Sequence, residues 1–112
     1  MTLEAEGNSK VTFSDLPVSE AVAWAGKMPH HSTLTFGGEF SHLTYLGIPS
    51  FCVIAENDRV MRPEMQRSMV DAANELRGSP IMEYAIPTDH FPFISQPGMA
   101  VEVVRKVAGE KL

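Results

Sequence analysis

The chain has 112 residues, room for one small domain, and its 44% apolar and 21% charged residues argue against disorder. Its nine basic residues are scattered among fourteen acidic ones, and the formal charge of −5 disfavours a nucleic-acid partner. A single cysteine, Cys52, excludes an internal disulfide. The N-terminal stretch has no apolar run, and the apolar segment Phe51–Ala55 is far too short to span a bilayer, so a cytoplasmic protein with no membrane contact is expected.

Residues 1–10 are polar and are expected to form a flexible N-terminus. From Asp15 to Met28 the pattern is helical. Asp15 can cap, Pro17 suits the first turn, and Val18, Ala21, Val22 and Ala25 recur at helical spacing until Pro29 ends the run. Residues 30–47 show no clear periodicity and read as a long connection with a short extended piece around Leu43–Leu46. Phe51–Ala55 is apolar without alternation, as in a strand buried on both faces of a parallel sheet. Pro63 opens a helix to about Leu76 with an expected apolar stripe of Met65, Met69, Ala72, Ala73 and Leu76, and Gly78 is placed to stop it. Ile81–Ile86 reads as a second strand, residues 88–96 as a loop, and Pro97 as the start of a last helix with Val103, Val104 and Val107 along one side.

Strand, helix and strand at this spacing imply a parallel crossover and an α/β fold. Functional groups in such sheets collect past the carboxyl ends of the strands. Asp58 and His90 occupy those two positions. Adjacent parallel strands lie about 4.8 Å apart, so the two loops can bring these side chains together. An acid on the imidazole fixes its tautomer and lets it take a proton from a nucleophile. Read alone, Asp58 fits a turn residue capping the next helix, and His90 fits an ordinary loop histidine; only their joint placement points to chemistry.

Longer stretches add a resemblance. The segment Ile48-Pro49-Ser50-Phe51-Cys52-Val53-Ile54-Ala55-Glu56-Asn57-Asp58-Arg59 resembles the acid-bearing strand of α/β-hydrolases, in the esterase branch that includes the plant methylesterase and hydroxynitrile-lyase group. Pro63-Glu64-Met65-Gln66-Arg67-Ser68-Met69 is similar to the helix that follows, and Asp89-His90-Phe91-Pro92 through Pro97 is similar to the histidine loop. Phe13-Ser14-Asp15-Leu16 through Ala23-Trp24-Ala25, with Pro29-His30-His31-Ser32, looks like the end of the family's cap segment. The match runs over residues 11–110. It implies a partial α/β-hydrolase fold of two or three parallel strands with flanking helices and a cap-derived N-terminal helix. The implied organisation is a cap-like helix and connection over residues 11–47 and a strand–helix–strand–helix unit over residues 48–112. It also implies Asp58 and His90 as acid and base and a small ester or related carbonyl substrate; no cofactor or metal is expected from the residues.

No serine of the chain sits in Gly-x-Ser-x-Gly, the setting the family gives its nucleophile, and the early strands and oxyanion-hole loop that precede it there have no counterpart. Phe91 stands where that family carries a smaller or more flexible residue. The expectation is therefore a truncated hydrolase-like chain, inactive alone and completed by a nucleophile-bearing segment. The alternative is a non-catalytic binding module that forms a homodimer, or pairs otherwise, through its exposed sheet edge. A lyase-like activity on the same scaffold would need the same missing serine region.

Other residues carry weaker signals. His30, His31 and His42 lack a suitably spaced carboxylate or thiolate and read as loop histidines rather than metal ligands. Asp89 adjoins His90, but neighbouring side chains rarely reach each other's Nδ1 in the needed geometry, which favours Asp58. Cys52 reads as an inert thiol inside the strand. The resemblance implies an acyl pocket under the cap lined by Trp24, Phe36, Phe40 and Tyr45; read from the residues alone they equally fit ordinary packing, and Met28 can join the same apolar surface.

Overall fold

The computed structural model describes residues 4–111. Its elements are α1 (Ala5–Thr12), α2 (Val18–Gly26), β1 (Phe51–Ala55), α3 (Pro63–Glu75), β2 (Met82–Ile86), α4 (Pro92–Ser95) and α5 (Pro97–Val107). The two strands form a parallel sheet in which Phe51 faces Met82 and Ala55 faces Ile86. The expected α/β pattern is present as helices around a two-stranded parallel sheet. Glu56 N–H donates to Ile86 O and Asn57 N–H to Thr88 O, so the pairing runs on into the loops that carry Asp58 and His90.

A helix, α1, begins inside the segment that the sequence reads as flexible. No apolar periodicity announces it because its buried residues are Ser9 and Thr12. Their hydroxyls are satisfied within the helix, Ser9 Oγ on Glu6 O and Thr12 Oγ1 on Asn8 Oδ1, so both can face the interior. α1 packs against α2. The centre of this pair is Phe13, Ala21 and Ala25, with Leu16, Met28, Phe91 and Ile94 packed around it. α2 starts later than expected, after Pro17, with no side-chain cap. Asp15 is occupied elsewhere, and Val18 is exposed.

Residues 30–47 contain two short 3-10 turns, Thr33–Phe36 and Thr44–Leu46, the second replacing the expected extended piece. Leu34, Phe36 and Phe40 in this connection are exposed. The radius of gyration is 15.9 Å, against about 13 Å for a compact domain of this length.

Three expected burial patterns are corrected. β1 is not buried on both faces: Ile54 is 0% exposed, but Phe51 and Val53 on the other face are exposed. The stripe that α3 buries is Gln66, Val70 and Ala73, while Met65 and Met69 are 57% and 56% exposed and Leu76 is exposed too. The helix is rotated because Gln66 bonds the β1 backbone, and this turns its own row inward. α5 likewise buries Ala100 and Val103 while Val104 stays exposed, and α4 occupies part of the expected loop.

These differences make a stability prediction. Ile54→Ala should cost about 2–5 kcal/mol in urea unfolding, the range for deleting a fully buried aliphatic side chain. Met65→Ala should stay within about 0.5 kcal/mol of the parent, as surface substitutions do. Equal costs at the two positions would contradict the observed helix face.

Candidate active site

The loop after β1 is built around one carboxylate. Asp58 is 7% exposed, and its Oδ1 accepts the Val60 N–H at 2.8 Å and the Met61 N–H at 2.9 Å. Those bonds fold the chain into a tight turn that delivers Pro63 to the first turn of α3, where proline loses no hydrogen bond. Asp58 does not cap α3, which has no side-chain cap, but the turn function considered for it is real and uses only one oxygen. The other, Oδ2, lies 2.8 Å from His90 Nδ1 and 3.4 Å from Gln66 Nε2.

A carboxylate only accepts, so the ring nitrogen facing it carries the proton. That leaves Nε2 as the basic nitrogen, the arrangement an acid–base histidine needs. The His90 side chain is 30% exposed, and no hydrogen bond engages Nε2 among the described residues. The Phe91 ring meets the imidazole edge-on, with centroids 5.1 Å apart at 88°. The sequence brings Asp58 and His90 to one rim, as expected, and the structure places them in direct contact.

Asp89 is no rival for the imidazole. Its oxygens receive the Asp15 N–H, the Phe91 N–H and the Ser95 hydroxyl, and it is 0% exposed. Gln66 is a participant that sequence reasoning missed. Its Oε1 accepts the Ala55 N–H at 2.9 Å, and its Nε2 donates to Ala55 O at 3.1 Å and Met61 O at 2.6 Å, besides Asp58. The signal available was a polar residue in register with Val70 and Ala73. An ion pair between Glu56 and Arg67 adds a further tie between this loop and α3.

An open apolar cleft of about 790 Å³ runs beside the dyad, between the Phe51–Val53 face of β1 and the Met69, Val70 and Ala73 row of α3. Asp58, Gln66 and His90 stand on its lining, with Phe93 beyond them. Of the four aromatic candidates for a pocket, Tyr45 reaches this cleft. Trp24 instead carries the Lys27 ammonium over its ring at 4.6 Å, Phe36 and Phe40 are exposed, and Met28 joins the α1–α2 core. Cys52 also lines the cleft, and burial, then the nearby Glu83 carboxylate, push its thiol above the ordinary range. Among the described residues no group of three or more His, Cys, Asp or Glu is placed to hold a metal ion, and His31 bonds Thr35. No helix among them is long and apolar enough to cross a membrane.

The chain matches no known protein-family model and no curated protein at a significant level.

Three outcomes are expected here. In Asp58→Asn the Val60 and Met61 amides both need the remaining carbonyl oxygen, so the side-chain N–H₂ faces the imidazole. The ring proton should then leave Nδ1 for Nε2, as read in long-range ¹H–¹⁵N spectra; an unchanged tautomer contradicts the proton assignment. Gln66→Leu keeps the volume but leaves Ala55 N–H and C=O unpaired, and it should cost about 2–4 kcal/mol in denaturant unfolding. Cys52 should alkylate more slowly at pH 7 than a free thiol, accelerating as the pH rises, because a raised pKa leaves less thiolate at neutral pH.

Proposed function

We propose that Asp58 and His90 are the acid and base of a hydrolase-like catalytic triad, in a chain related to serine esterases that act on small ester or carbonyl substrates. The observation that carries this reading is the 2.8 Å contact between His90 Nδ1 and a buried, fully hydrogen-bonded Asp58 at the carboxyl ends of two parallel strands. The bare Nε2 faces no hydroxyl or thiol bond among the described residues. The nucleophile is accordingly assigned to a segment outside them, docked where the cleft meets the dyad. His90 would take the proton of that nucleophile's hydroxyl as it attacks the ester carbonyl, and Asp58 would stabilise the imidazolium so formed. The apolar lining of the cleft suits the hydrocarbon part of a small ester. The motif resemblance over residues 11–110 supports the same class.

Short p-nitrophenyl esters test this, with the chain alone and with a small alcohol added as a stand-in nucleophile. The chain alone should release p-nitrophenol no faster than His90→Ala. With the alcohol present, wild type should exceed His90→Ala by roughly 10²-fold, the lower range for a positioned general base. Equal rates for the two proteins under both conditions would remove the reading.

A second reading rests on a different observation. β1 has β2 on one side only, and Phe51 and Val53 are exposed beside its open edge. A non-catalytic interaction protein would cover that edge with a second copy. Light scattering on a size-exclusion column separates the two: a dimer that Val53→Lys dissociates favours edge pairing, and a monomer at micromolar concentration counts against it.

A further inference from the structure

The His90 imidazole is held by Asp58 from one side, but the backbone on either side of it is tied to distant residues, Asp89 to Asp15 across 74 positions and Phe91 to Phe13. The two neighbours of His90, Asp89 and Phe91, are each gripped by the short connection between α1 and α2. Asp89 N–H donates to Asp15 Oδ2 at 2.9 Å, and Asp15 N–H returns a bond to Asp89 Oδ2 at 3.1 Å. The other Asp89 oxygen, Oδ1, accepts the Phe91 N–H at 3.0 Å and the Ser95 hydroxyl at 2.6 Å. On the far side of His90, the Phe91 ring stacks on Phe13 with centroids 5.2 Å apart and planes 15° apart, while its edge contacts the imidazole. Phe13 is 2% exposed at the centre of the α1–α2 core.

We propose that the α1–α2 connection, through Asp15 and Phe13, is the positioning device for His90. The inference rests on the reading of His90 as the base and deepens it by naming what aims the base. The reasoning is one of lost freedom. A histidine on a loop between a strand and a helix has mobile backbone on both sides, and a single bond to Asp58 would have to overcome that entropy unaided. Here the backbone before the ring is clamped by a reciprocal pair of hydrogen bonds, and the residue after it is clamped by stacking on a buried ring. Only the side-chain torsions of His90 remain, and Asp58 and the Phe91 edge restrict those. Asp15 and Phe13 touch no reacting atom, so they are positioning residues.

The bonding pattern makes an asymmetric prediction. At position 15 the side chain supplies one acceptor oxygen, which asparagine retains. At position 89 both oxygens accept, so asparagine must turn its N–H₂ toward a donor. The test uses the full ¹⁵N-labelled chain and follows solvent exchange of the His90 Nδ1 proton, with the Ile54 amide as an internal control. Asp15 is exposed, so its variants remove no core contact. Asp15→Ala should speed exchange of the imidazole proton about tenfold, the order expected for one ordinary hydrogen bond, with Ile54 unchanged. Asp15→Asn should restore the wild-type rate, and Asp89→Asn should behave like Asp15→Ala.

The proposal is overturned if Asp15→Ala leaves the imidazole proton as it is in wild type. It is equally overturned if Asp15→Asn loses as much as Asp15→Ala, or if the Ile54 amide accelerates in step, which marks general loosening. Should Asp89→Asn fail to fold, the pair at position 15 decides alone. A wild-type ring without its proton on Nδ1 removes the dyad and this proposal together. A wild-type ring that passes, in a chain with no His90-dependent ester turnover, removes the functional reading and leaves the positioning result standing.

Discussion

The Asp58 carboxylate accepts four hydrogen bonds from three parts of the chain: the Val60 and Met61 amides, the Gln66 side chain and the imidazole of His90. A buried carboxylate deprived of water must find such donors, or its desolvation would weigh against folding. Satisfying this one charge therefore places the start of α3, the inward face of that helix and the loop beyond β2. Remove it and each of those pieces loses its reference. The acid–imidazole pair at the rim is a by-product of how the chain solves that local problem, because the donor it recruits from β2's side is an imidazole.

Around this centre the packing is uneven. The α1–α2 pair has a small sealed core, and Ile54 is closed off on one face of the sheet. The opposite face of β1 and the Met65 and Met69 side of α3 remain wet. The cleft is thus bounded by groups that elsewhere would be interior, and its apolar character follows from the same rotation of α3 that buries Gln66.

Much of this was legible in the sequence. The unalternated run Phe51–Ala55, Pro63 and Pro97 at helix starts, and the polar breaks after each strand gave the parallel unit. Asp58 and His90 could be paired because strand ends share a rim, and that inference needs only topology. What sequence could not give was rotation and occupancy. Met65 and Met69 look like a core stripe by hydropathy, and only the bonds between Gln66 and Ala55 turn the helix away from them. α1 stayed hidden because its buried side chains are hydroxyls. Asp15 reads as a cap, yet its partner lies 74 residues on, at Asp89, beyond any local pattern.

The amide of Gln66 also imitates a neighbouring strand. Amide directions alternate along β1; since Glu56 N–H points to β2, the N–H and C=O of Ala55 point to the open side, where the glutamine takes both. Among the described residues no strand pairs with the outward rungs at Phe51 and Val53, and Val53 O receives only the Cys52 thiol. Any extended segment that zips onto this border therefore runs out of ladder at Val53, five residues before Asp58. The glutamine is thus a stopper that sets where an incoming backbone would turn its corner.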